Sequence, residues 1–172
     1  MVKEIIDGKH YSEYSDYINE LVRKENYNEA IDLLVKIIEI MENVAIEKGV
    51  GVAPWYYDKL SLIYKKMKNK EAEIQTLKRF LSQPKARGSR PKKIYDKYIK
   101  LNKDTNEDQL QNYIYKEYKK VISSSSLTSV NRKCSNCRKK GDYLVPIDER
   151  GKEIKFFGAC CPFCCTSDLI TL

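Results

Sequence analysis

Apolar side chains recur along most of this chain at the three-and-four spacing of helices that bury one face. From Ser12 to Lys24 they fall at Tyr14, Tyr17, Ile18, Leu21 and Val22. Tyr27 to Glu47 carries a longer stripe through Ala30, Ile31, Leu34, Ile37, Ile38, Met41, Val44 and Ala45, and Gly49 and Gly51 close it, as glycines after a helix do. Pro54 suits the first turn of a third helix, which runs to Lys68 through Trp55, Tyr56, Leu60, Ile63, Tyr64 and Met67. Glu71 to Leu81 is the fourth, with Ile74, Leu77, Phe80 and Leu81 inward. Pro91 to Leu101 and Glu107 to Ile122 are two more, and Asp104, Thr105 or Asn106 caps the last. Residues 1–10 show no period and are expected to be loosely structured, with the single histidine, His10, in solvent.

The first four helices repeat. Tyr14, Tyr17, Leu21, Tyr27, Ala30, Leu34 and Ile38 stand 43 residues before Tyr57, Leu60, Tyr64, Lys70, Glu73, Leu77 and Leu81. Each unit is two antiparallel helices about a short turn, and one unit alone cannot bury its apolar face, so two or three stack. The spacing within each unit, best seen in Asn26-Tyr27-Asn28-Glu29-Ala30-Ile31, resembles the tetratricopeptide repeat, whose period is about 34. The excess lies in the long second helix and the Gly-rich turn, and Glu73 departs from the small residue of that family. The resemblance implies a groove for a protein or peptide. A generic helical bundle is the alternative.

The helical pattern stops at a Ser-rich stretch (123–129), and the chain then turns to cysteine chemistry. Cys134 and Cys137 form one C-x-x-C pair; Cys161 and Cys164 form a second inside the run Cys160-Cys161-Pro162-Phe163-Cys164-Cys165. A C-x-x-C turn places two sulfurs on one ion, and two turns complete a tetrahedron with metal–sulfur bonds of about 2.3 Å. The pairs are separated by 23 residues, which read as a hairpin of Tyr143–Ile147, a turn at Asp148–Gly151, and Glu153–Phe157 returning. Disulfides need an oxidising compartment, and the charged start Met1-Val2-Lys3-Glu4 shows no secretory segment. A redox C-x-x-C would open a helix in a βαβ setting, and none is legible. One structural Zn²⁺ on Cys134, Cys137, Cys161 and Cys164 is the expected cofactor, with Cys160 and Cys165 as alternative ligands.

The stretch Cys161-Pro162-Phe163-Cys164-Cys165-Thr166-Ser167-Asp168-Leu169 resembles the second knuckle of the zinc-ribbon family. Cys165 stands where that family has glycine, which reaches positive φ cheaply; either Cys165 accepts the strain or the ligand register shifts. The expected fold is therefore mainly α, with stacked antiparallel, tetratricopeptide-like helix pairs (1–122), a Ser-rich linker (123–131) and a small β zinc ribbon (132–172).

Charge refines the picture. The formal net charge of +8 is concentrated: within 83–103, Lys85, Arg87, Arg90, Lys92, Lys93, Lys97, Lys100 and Lys103 face only Asp96. The first seven of these are candidate phosphate contacts, and Tyr95 and Tyr98 are either stacking surfaces or helix core, which their spacing fits equally well. No stretch approaches the ~18 apolar residues of a membrane helix. No phosphate loop, nucleophile elbow or open histidine metal site is legible. These features point to a non-enzymatic, cytoplasmic, bacterial adaptor that takes a protein partner in its helical groove. A nucleic-acid-binding protein using the 83–103 patch and the ribbon is the alternative.

Overall fold

The computed structural model describes residues 4–123, 128–144, 150 and 160–167. A two-strand hairpin, β1 (Ile5–Ile6) and β2 (Lys9–His10), leads through a 3-10 turn into α1 (Ser15–Arg23). Then come α2 (Tyr27–Lys48), α3 (Pro54–Lys66), α4 (Lys70–Leu81), α5 (Arg90–Leu101) and α6 (Glu107–Ser123). A second antiparallel pair, β3 (Ser129–Lys133) and β4 (Lys140–Leu144), carries the cysteine region.

The helices form where the apolar stripes place them, and each stripe is the buried face. Ile18, Ala30, Leu34, Ile37, Ile38, Tyr57, Ile63, Leu77, Phe80 and Leu81 are fully buried in one core. Consecutive helices from α1 to α5 pack on one another, and α3 also meets α5. The two turns that close the helix pairs are alike: Glu25 and Lys68 take left-handed backbone, and the next residues, Asn26 and Asn69, donate their N–H to Leu21 and Tyr64 carbonyls at 2.9 Å. They stand 43 residues apart, the register of the apolar repeat. Asn106 is the residue that caps α6, accepting from the Gln109 N–H at 3.1 Å.

Glu73 occupies the position of Ala30 in that repeat. It is buried, and its Oε1 faces Lys97 Nζ at 3.6 Å. Across the same core, Arg79 holds Glu42 through two hydrogen bonds of 2.9 and 2.7 Å, and the Tyr57 hydroxyl donates to Glu42 at 2.8 Å.

Two glycines have distinct roles. Gly49 adopts left-handed φ (70°) and ends α2. Gly51 instead permits a close approach, since a Cβ there would lie 2.2 Å from the Ala86 nitrogen and 2.3 Å from the Lys85 carbonyl carbon. That approach lets Val52 donate to Pro84 O (2.7 Å) and accept from the Ala86 N–H (3.1 Å). The α2–α3 connection is thereby tied to the loop before α5.

Three expectations need correction. Residues 5–10 are ordered, and His10 is not a free solvated side chain: its ring bonds Glu4 (2.8 Å) and Ser12 (2.7 Å) while starting the 3-10 turn. Residues 129–131, read as linker, are strand. The strand through Tyr143 begins earlier, at Lys140, and among the described residues it pairs with β3, which precedes the first cysteine pair. The expected return strand, Glu153–Phe157, and the turn at Asp148–Gly151 lie outside the described residues apart from Arg150, as does the Ser-rich stretch 124–127.

Candidate metal centre

The first cysteine pair sits at the tip of the β3–β4 hairpin, directly after the paired residues Lys133 and Lys140. Its turn closes by Cys134 N–H to Lys139 O (2.9 Å) and Arg138 N–H to Cys134 O (3.1 Å). The second pair repeats the same two bonds: Cys161 N–H to Thr166 O (2.8 Å) and Cys165 N–H to Cys161 O (3.0 Å). In both turns the residue after the second cysteine is left-handed, Arg138 at φ 63° and Cys165 at φ 59°. Cys165 therefore accepts the conformation usually left to glycine, and the register does not shift.

These two turns bring four sulfurs together. Cys134, Cys137, Cys161 and Cys164 have Sγ atoms all within 4.8 Å of one another. The cross-pair distances Cys134–Cys164 and Cys137–Cys161 are both 3.8 Å. A tetrahedron with metal–sulfur bonds of about 2.3 Å has an edge of about 3.8 Å, so the donor set fits a metal ion of that radius. Backbone and amide donors surround it: the Phe163 N–H points to Cys161 Sγ at 3.4 Å, and Asn136 Nδ2 lies 3.5 Å from Cys164 Sγ. Such N–H···S contacts orient thiolates and spread their charge.

The electrostatics agree. Cys164 is held down to about 3, first by the hydrogen bond from Cys161 and then, against burial, by those from Thr166 and Asn136. Its partner Cys161 is pushed up by that same hydrogen bond and by burial, and burial lifts Cys137 to about 11. A cation bound by the four sulfurs would displace the protons that remain on them.

The other two cysteines face away from the cluster. Cys160 Sγ contacts Ala86 O at 3.3 Å and Ser167 Oγ at 3.5 Å. Cys165 is fully buried within the core of the helices, and burial raises it to about 12. The exchange is mutual, because Tyr115 of α6 packs into the small core around the cysteines and stacks on Phe163 at 4.4 Å. The Tyr115 hydroxyl also accepts from the Asp142 N–H at 3.1 Å, Lys119 pairs with Asp142, and Lys139 pairs with Asp108 at 2.9 Å. Ser167 Oγ meets both the N–H (2.9 Å) and the carbonyl (2.8 Å) of Gly88. Nothing in the sequence marked Tyr115 or Ser167.

The basic run is divided by the fold. Lys85 is buried, and its ammonium donates to Leu81 and Gln83 carbonyls at 2.7 Å each, where a cation complements the end of α4. Lys97 turns inward to Ser61 Oγ (2.7 Å), Glu73 and Asp58. Lys92 pairs with Asp96 and lies over the Tyr95 ring. Arg87, Arg90 and Lys93 are exposed, whereas Lys100 stands near the far end of α5 beside Lys70 and Lys103. Tyr95 and Tyr98 are buried core residues, so neither offers a stacking surface. Among the described residues no helix is long and apolar enough to cross a membrane.

Compared with protein-family models, with curated proteins and with solved structures, the chain matches none.

Proposed function

We propose that this protein is a non-enzymatic adaptor in which one structural Zn²⁺, held by Cys134, Cys137, Cys161 and Cys164, locks a ribbon module onto a tetratricopeptide-like helical array. The observation that carries this reading is the closed set of four sulfurs, with 3.8 Å edges between the pairs. Four protein ligands leave no position for substrate or activated water, so the ion contributes folding energy and not chemistry. The like turns at Glu25 and Lys68 support the repeat. Between them a depression of about 550 Å³, lined by Tyr27, Asn28, Glu29 and the half-exposed Met67, is the groove we assign to a protein partner.

Elemental analysis of reduced, purified protein tests the metal: one zinc per chain is expected. Cys134→Ser and Cys161→Ser should lose it, while Cys160→Ser should retain it. A metal-free wild type, or zinc retained in Cys161→Ser, would overturn the ligand set. A photo-reactive residue at Met67 tests the adaptor role. A discrete protein adduct in cells is expected, and no adduct there would refute the groove.

A further inference from the structure

We propose that the cleft where the α4–α5 loop meets the second cysteine turn binds the phosphate backbone of nucleic acid. The cleft has a volume of about 730 Å³ and is lined by Arg87, Gly88 and Ser89 of the loop, Lys92 and Lys93 of α5, and Thr166 and Ser167 of the turn. It thus holds three cations, and among the described residues no carboxylate lines it. Lys92 also pairs with Asp96 from the same helix.

The wall is built and not incidental. Ser167 Oγ is bonded to both backbone groups of Gly88, and Cys160 Sγ contacts Ala86 O. These bonds fix the loop carrying Arg87 against the turn, so the cations from loop and helix flank one opening. Arg87 and Lys93 are exposed, which suits successive charges along a chain of phosphodiesters; a lone phosphoryl group is better served by converging, half-buried donors. The formal net charge of +8, about +6 once four thiolates hold one Zn²⁺, adds long-range attraction for a polyanion. Tyr95 and Tyr98 are buried and among the described residues no aromatic ring lines this cleft, so the recognition proposed there is by charge and independent of sequence.

The test is fluorescence polarisation of a labelled, mixed-sequence single-stranded DNA with the full, metal-loaded chain. Three phosphate contacts on a single strand give a salt slope of about −2, so affinity should fall about twentyfold between 50 and 200 mM salt. Arg87→Glu with Lys93→Glu should weaken binding at least tenfold, and the neutral pair Arg87→Gln with Lys93→Gln should fall between it and wild type. Lys100→Glu with Lys103→Glu, the same charge change elsewhere on the surface, should cost less than threefold. Metal content and helical circular dichroism verify that each variant is folded. No binding at 50 mM salt would overturn the proposal, as would equal losses in the two charge-reversed proteins. Capture of a phosphoserine peptide without the oligonucleotide would also overturn it.

Discussion

Cys164 and Cys165 are consecutive residues whose sulfurs belong to different cores: Cys164 Sγ lies in the four-sulfur cluster, and Cys165 is buried among the helices. Whatever positions the first positions the second. Removal of a metal bound there is therefore expected to reach beyond the cysteine region. Ligand binding to the folded state at 1,000 times its Kd adds about 4 kcal/mol. In a chain of this size about 1 kcal/mol moves Tm by about 2–4 °C. Chelation should lower the helical melting transition by about 8–16 °C, read by circular dichroism at 222 nm. An unchanged helical transition would mean that the two cores are energetically separate.

Acid stability should respond to Asp142. This carboxylate joins β3, β4 and α6, and hydrogen bonds from Asn131 and then Lys119 hold it below the ordinary aspartate value. A depressed folded value means that its contribution is present at neutral pH, above the unfolded value, and is lost as pH falls through the folded value. Asp142→Asn should cost about 0.5–1 kcal/mol at pH 7 for this partly exposed pairing and should converge on wild type only as the pH falls through the folded value, itself below the ordinary aspartate value. Any metal held by the cysteines would be shed by both proteins in acid as thiolates take up protons, so the difference between their denaturation curves is the informative quantity.

Lys97 and Glu73 should show strong coupling. Glu73 Oε1 is buried without a hydrogen-bond partner, and Lys97 is the cation beside it at 3.6 Å. Lys97→Met leaves that carboxylate unpaired and is expected to cost about 3 kcal/mol. The double variant Glu73→Ala with Lys97→Met should recover most of the loss, measured by urea denaturation. Additive losses would show that the pair does not act as a unit.

Gly51→Ala tests the tie between the α2–α3 connection and the loop before α5. The added Cβ would meet backbone atoms of Lys85 and Ala86, which cannot rotate aside as a side chain can. Overpacking of this kind costs about 1–3 kcal/mol. The loss should appear in urea denaturation, with Gly49→Ala as a separate, conformational comparison.

The six helices and the four clustered cysteines were legible because each rests on a local rule. Helical period fixes which side chains face inward, and two C-x-x-C turns fix which sulfurs meet. The rest depended on partners distant in the chain. β1 and β2 have two residues each, too few to show alternation. β3, Ser129–Lys133, has one aliphatic residue, Val130, so its pattern looked like linker. Lys85 resembled its exposed basic neighbours, and only the carbonyls of Leu81 and Gln83 distinguish it. The roles of Cys160 and Cys165 were left open by the motif, since docking against Ala86 and the helical core cannot be read from spacing.

The left-handed residues Arg138 and Cys165 bear on how firmly the ion is kept. Each holds a backbone conformation that costs a side-chain-bearing residue about 1–2 kcal/mol, and a metal-free chain is free to relax it. Part of the energy of coordination therefore goes into holding two peptide units in place, and the net grip on the ion is weaker than the four sulfurs alone would give. Arg138→Gly, which changes no cysteine, should slow transfer of the ion to a competing chelator about tenfold. Retention of an ion held by these four cysteines would thus be set by the backbone as well as by the thiolates, and could drift under selection while every cysteine stays in place.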